Sequence, residues 1–298
     1  MSIQKSELQF ISIQREMGFR PERRDCVRNT AKKNNGSIRR RRKRKQLLRR
    51  WIRIGTSVAF AALFAVVFQN LDLFMETSAE NKKIEIEEMM AEEQYPQELQ
   101  KLLEENEESY DFVENYANRK DYMGKPIDLS GDYQAGSVPL LMQWDKRWGY
   151  DLYGESMIGL AGCGPTCMTM AYLYHTGDLT VNPREVAEFA QEKGYHTTEG
   201  TSWDFWTLGA KELGLYGEVV SLSETVMKSV LDSGGLLVCS MSAGDFTTGG
   251  HYILLRGYDE NGFFVNDPNR RSNSERQWDF DTLASQMKNL WGIYSLSE

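Results

Sequence analysis

Gly249-Gly250-His251-Tyr252-Ile253-Leu254-Leu255-Arg256-Gly257-Tyr258-Asp259-Glu260-Asn261-Gly262-Phe263-Phe264-Val265-Asn266-Asp267-Pro268 is the stretch of this 298-residue chain on which the fold turns. Its apolar run from Tyr252 to Leu255 ends at Gly257-Tyr258, passes through Asp259-Glu260-Asn261-Gly262, and returns as Phe263-Phe264-Val265-Asn266. Asn-Gly between apolar runs is a strong hairpin signal. The midpoint of 251 and 267 is 259, inside the turn, so a hairpin brings Asp267 back near His251. There a carboxylate can hold an imidazole in orientation. The same two residues also read as a satisfied core histidine and as an aspartate capping the Asp-Pro-Asn turn.

Around this hairpin, Leu236 to Met241 reads as a further strand, Gly164 to Tyr174 and Pro183 to Lys193 as helices, and Asp281 to Leu290 as a late helix. Helices followed by strands argue for an α+β fold with an antiparallel sheet. No internal repeat is visible.

The second informative stretch is Ala161-Gly162-Cys163-Gly164-Pro165-Thr166-Cys167-Met168-Thr169-Met170-Ala171. A cysteine between glycines precedes a proline and an apolar helical run, and proline suits a first helical position. Cys163 is therefore expected at a helix N-terminus, where the helix dipole and free amides favour a thiolate nucleophile. The glycines allow another backbone or a substrate to approach closely. The bland alternative is a structural cysteine. Of the other histidines, His175 precedes Gly177 and reads as a C-terminal cap or surface residue, and His196 as part of a loop.

Charge divides the chain. Up to Arg53 it holds 18 Lys and Arg against 4 Asp and Glu, a net of +14, which leaves −22 for the rest of a chain whose total is −8. That segregation argues against a uniformly acidic cytosolic enzyme. The block Arg39 to Lys45 cannot collapse on itself and reads as disordered or bound to a membrane surface; alone it could equally be a nucleic-acid arm. Ile54 to Phe68 follows without a charge, with Trp51 at its start. As helix, these residues span roughly 22 Å, and Trp51 to Phe74 roughly 36 Å. We therefore expect residues 1–52 to be a basic disordered cytoplasmic segment and 53–74 a transmembrane helix, with the C-terminal part extracellular. A buried helix of a soluble domain and a cleaved signal peptide ending near Thr77-Ser78-Ala79 are the alternatives. Partners are then the membrane and a peptide or protein substrate, with no nucleic acid; the oligomeric state is open.

Residues 75–121 are rich in Glu, Lys, Leu and Met and read as an acidic helical spacer. Pro96 begins its second helix, with Leu99, Leu102, Leu103, Phe112 and Val113 as the apolar stripe. It is expected to lift the following domain off the membrane or to bind a partner. Residues 122–137 read as a linker, and 138–298 as one domain.

Gly162-Cys163-Gly164-Pro165-Thr166, Gly250-His251-Tyr252-Ile253 and Val265-Asn266-Asp267-Pro268 resemble the three motifs of the C39-like cysteine peptidases, papain-like bacterial enzymes related to the bacteriocin leader peptidases. The resemblance covers about Val138 to Leu296, with the motifs in the family order. It implies a papain-like fold, Cys163 as nucleophile, His251 as general base and then acid, Asp267 as the orienting group, and no cofactor or metal. It also implies that Gln143, in Gln143-Trp144-Asp145, supplies the oxyanion hole, although it lies twenty residues before Cys163, farther than in the leader peptidases. The chain lacks the transporter fused to those enzymes, so their leader-peptide substrate is not carried over.

Other readings use the same residues. A cell-wall peptide hydrolase or transpeptidase fits the scaffold, as does a non-catalytic peptide-binding module. Cys163, Cys167, Cys239 and His251 offer four zinc ligands, but structural zinc sites more often use paired short motifs. Cys167 and Cys239 can form a disulfide or stay buried as free thiols. Phe205, Trp203, Trp206 and Trp291 either line a cleft or fill the core. Four cysteines including Cys26 are too few for a disulfide-stapled scaffold.

Overall fold

The computed structural model describes residues 95–296 without interruption and a scatter of positions between 41 and 90. The chain divides into two units, Met1–Asn81 and Lys82–Glu298. In the first, the described residues between 41 and 69 are helical and exposed. The Thr56 and Ser57 hydroxyls both donate to the Arg53 carbonyl at 2.9 Å. No helix among the described residues is long and apolar enough to cross a membrane. The expected span at 53–74 extends outside the described residues, which omit 70–74 among others; the basic segment up to residue 40, with Cys26, also lies outside them.

The second unit is an α+β domain. Its principal elements are α1 (Gln97–Glu105), α2 (Tyr110–Glu114), α3 (Cys163–Thr176), α4 (Pro183–Glu192), β1 (Leu215–Val219), α5 (Glu224–Asp232), β2 (Leu236–Met241), β3 (His251–Asp259), β4 (Gly262–Asn266), α6 (Arg271–Ser274), β5 (Gln277–Trp278), α7 (Phe280–Gln286) and β6 (Met287–Ser295). One antiparallel six-stranded sheet runs in the order β1-β6-β2-β3-β4-β5.

The sheet is covered on both faces, which explains the unbroken apolar run of β2. Leu236 and Val238 join the core built with α3 and α4, whereas Leu237, Cys239 and Met241 join a second core with Met227 of α5 and Leu283 of α7. Alternate side chains thus reach opposite faces. β3 repeats the pattern, with Tyr252 and Leu254 on one side and Ile253 and Leu255 on the other.

Local chemistry sets the element ends. Asn182 caps α4 by accepting from the Arg184 and Glu185 amides, with Pro183 next. α3 ends at Gly177, whose φ of 68° suits the left-handed cap. Pro165 is the third residue of α3 rather than the first, but it still lies in the turn whose amides lack intrahelical partners. Four residues expected in the late helix, Met287 to Leu290, instead open β6. Their side chains enter the second core through Met287 and Leu290, so sheet pairing with β2 overrides the helical pattern.

The larger difference concerns the acidic segment. Instead of standing free as a spacer, α1 and α2 pack on the domain. Leu99, Leu102, Leu103, Phe112 and Val113 are buried in a cluster with Tyr150, so the expected apolar stripe exists and the domain itself covers it. The helix breaks at Asn106, whose side chain accepts from the Glu108 amide at 3.1 Å. Phe112 stacks on Tyr150 with ring centroids 4.4 Å apart. Its ring fills a slot between Gly149 and Gly159, where an added Cβ would come within 2.7 Å and 2.4 Å of it. The stretch read as a linker is irregular and likewise attached: Leu129 is buried, and Arg147 reaches the Asp128 carbonyl at 2.9 Å and the Asp132 carboxylate at 2.8 Å.

Phe112→Ala is therefore expected to destabilise the Cys163-bearing domain by about 3–5 kcal/mol, measured by urea unfolding followed through tryptophan fluorescence. An unchanged midpoint would mean that the segment is the detached spacer its composition suggests.

Candidate active site

Cys163 is the first residue of α3, with Gly162 as the capping residue and the Thr166 amide closing the first turn on the Gly162 carbonyl at 3.0 Å. Both flanking glycines are sterically required. A Cβ on Gly164 would meet the Thr201 hydroxyl at 2.3 Å, and one on Gly162 would meet Ile158 at 2.5 Å. Glycine thus lets the α3 N-terminus press against neighbouring segments while the Cys163 side chain remains part-exposed.

His251 opens β3, opposite Met241 of β2. A register shift between Leu255 and Gly257 makes Asn266, opposite Leu254, the last paired residue of β4. The pairing is therefore offset from the midpoint of the two residues: Asp267 leaves the ladder, and its side chain reaches His251 from the following turn. His251 Nε2 donates to Asp267 Oδ1 at 2.7 Å. The Cys163 side chain also acts on the imidazole, helping to raise its pKa. With Nε2 engaged by Asp267, Nδ1 is the nitrogen left for the thiol.

Electrostatics favour a charged His251. Burial alone would lower its pKa, but the Asp267 carboxylate beside it and hydrogen bonds to Asp267 and Cys163 raise it to about 10. Asp267 is fully buried, which opposes ionisation, yet the His251 charge and its hydrogen-bond donors hold its carboxyl below the usual range. Those donors are numerous. Oδ1 also accepts from the amides of Asn269 at 2.8 Å and Arg270 at 3.2 Å, and Oδ2 accepts from Asn273 Nδ2 at 2.7 Å. The Asp267 amide in turn donates to the Ser274 hydroxyl at 2.8 Å. Both readings of Asp267 hold together: it caps its own turn and engages the histidine.

Gln143 reaches the same site from far upstream. Its amide donates to the Pro268 carbonyl at 2.7 Å, tying it to the residue after Asp267. Its Nε2 donates to the Gly159 carbonyl at 3.0 Å, while Oε1 is buried without a partner. Gln143, Cys163 and His251 line one cleft of about 730 Å³.

The remaining candidates separate from it. Cys167 donates to the Tyr252 carbonyl at 3.4 Å in one core, and Cys239 is buried in the core on the other face of the sheet. Both are free thiols pushed up by burial, and they neither pair as a disulfide nor join Cys163 and His251 in a four-ligand set. His175 donates to the Ile293 carbonyl at 3.0 Å, and His196 stacks edge-on against Tyr153. Phe205, Trp206 and Trp291 are core residues, but Trp203 is 52% exposed and lines the cleft.

Several site residues carried no recognisable sequence signal. Asn273 and Ser274 follow Asp267 by six and seven residues in a polar stretch that reads as ordinary loop. Glu98, Leu102 and Glu105 of α1 form part of the cleft wall, although they belong to the segment read as a spacer.

No curated protein matches the chain. Among solved structures, it is similar to the peptidase domain of Streptococcus ComA, a bifunctional ABC transporter involved in a quorum-sensing pathway. That match has 17% identity and a TM-score of 0.33 and covers 45% of this chain and 90% of the other. A Bacillus anthracis protein described as a C39-like peptidase is similar at 16% identity and a TM-score of 0.36, covering 55% of this chain and 97% of the other. Residues 135–296 match the model of the peptidase C39-like family, and with more than half of its length inside that match the chain belongs to this family.

Proposed function

We propose that this protein is a cysteine peptidase that hydrolyses a peptide bond through Cys163, His251 and Asp267. The observation that carries the reading is the buried 2.7 Å His251–Asp267 pair beside a cysteine at a helix N-terminus, within one open cleft. In the reaction, the Cys163 thiolate attacks the substrate carbonyl carbon, and the carbonyl electron pair moves onto oxygen. The Gln143 side-chain amide donates to that oxyanion. Collapse of the intermediate breaks the C–N bond as protonated His251 gives its proton to the departing amine, leaving a thioester. Neutral His251 then takes a proton from water as the water attacks the thioester, and the acid leaves with regeneration of the thiolate and imidazolium. Asp267 keeps the imidazole oriented and stabilises its charge throughout.

We further propose that the enzyme is tethered by a single helix at 53–74, with the basic segment 1–52 in the cytoplasm and the peptidase domain outside. Support comes from the uncharged run Ile54 to Phe68 immediately after the basic block. Protease protection in intact cells tests it: the domain is expected to be digested from outside, and full protection overturns the topology.

Cys163→Ala is expected to lower peptide hydrolysis on the order of 10⁶-fold, whereas Cys167→Ala leaves it within a few-fold. The reverse pattern, read from initial rates on a peptide library, rejects the assignment. Gln143→Ala is expected to lower kcat about 10²–10³-fold; an unchanged kcat removes it from the oxyanion hole.

The pH dependence follows from His251. Its proton is needed to expel the amine, so activity is lost as pH rises through about 10. Asp267→Asn removes the charge that raises His251, and the alkaline limb should move down by about 1–3 on the pH scale. An alkaline limb left in place in that variant contradicts the role given to Asp267.

A further inference from the structure

We propose that residues 105–114, outside the family match, form a clasp that positions the catalytic groups. The inference rests on the cysteine-peptidase reading of Cys163, His251 and Asp267.

One arm of the clasp grips the turn that carries Asp267. Asn106 is buried, and its Nδ2 donates to the Asn269 carbonyl at 2.6 Å; Trp144 Nε1 donates to the same oxygen at 2.7 Å. The Glu108 carboxylate accepts from the amides of Arg271 at 2.6 Å and Ser272 at 3.0 Å, the first residues of α6. The Arg270 side chain closes on the Glu105 carbonyl. Each contact lies next to a group that fixes Asp267: the Asn269 and Arg270 amides bind Oδ1, and α6 supplies Asn273 and Ser274. Holding this turn therefore holds the carboxylate that orients His251, and Asn106 and Glu108 act as positioning residues.

The second arm is Phe112. Its ring occupies the slot beside Gly159, the residue whose carbonyl accepts from Gln143 Nε2. One short segment thus braces both the acid and the oxyanion sides of the cleft.

The deciding variant is Asn106→Asp. It keeps an acceptor for the Glu108 amide, and with it the local turn, but loses the donor to Asn269. Glu108→Gln acts on a separate pair of bonds, so if either variant fails to fold, as read by circular dichroism, the other decides. In the full chain, alkylation of Cys163 by iodoacetamide is followed by mass spectrometry at pH 6 and pH 10. Cys163 and Asp267 are the titratable groups acting on His251. The rate at pH 6, where His251 is protonated, therefore reports its action on Cys163, while the pH 10 rate serves as the reference for access. We expect both variants to react about ten-fold more slowly than wild type at pH 6 and equally at pH 10, with faster hydrogen exchange at residues 269–272. Folded variants that match the wild type at pH 6 overturn the clasp. A wild-type Cys163 with no reactivity advantage at pH 6 overturns the cysteine-peptidase reading instead, and the clasp then has no catalytic pair to position.

Discussion

Burying an ionised carboxylate is the constraint around which this domain is organised. Asp267 has no solvent exposure, and an unpaired charge there would cost several kcal/mol or be neutralised by protonation. The fold instead surrounds it with donors: the His251 ring, two amides of its own turn and the Asn273 side chain. That arrangement explains why Asp267 leaves the β4 ladder. A residue paired in the sheet commits its backbone to the neighbouring strand, whereas a residue in the following turn can gather converging amides.

The same constraint links distant parts of the chain. Gln143 is tied through its amide to Pro268, Trp144 to the Asn269 carbonyl, and Asn106 to that same carbonyl. A few hydrogen bonds thus bring together residues more than a hundred positions apart, on a sheet whose two apolar faces provide the rigidity. Charge-assisted bonds to a buried carboxylate are stronger than neutral ones, so the geometry is held where the chemistry needs it.

How much of this was legible in the sequence depended on whether the information was local. The hairpin was legible because Asn261-Gly262 sits between two apolar runs, and the helix after Cys163 because Gly, Cys, Gly and Pro precede a largely apolar run. These two signals place Asp267 near His251 and Cys163 at a helix start, but they do not bring Cys163 to His251; that pairing was implied only by the resemblance of the three motifs to the C39-like peptidases. The only local sign of the register shift is Gly257, since a glycine within a strand pattern suggests a bulge without fixing the register on either side of it. The attachment of α1 and α2 was not legible. Their acidic, Leu-rich composition satisfies a free amphipathic helix as well as a docked one, and the slot for Phe112 is made by two glycines, Gly149 and Gly159, in separate segments. Met287 to Leu290 misled for a related reason: a short apolar pattern takes the structure that its tertiary partner, here β2, imposes.

The central claim is that the buried Asp267 keeps His251 charged beside Cys163. The most direct test is ¹⁵N NMR of the His251 ring in the full chain across pH 5 to 11. The ring is expected to be protonated on both nitrogens at neutral pH and to lose its proton only as pH approaches about 10. A His251 that is already neutral at pH 7.5, titrating near the ordinary value of 6.5, would contradict it.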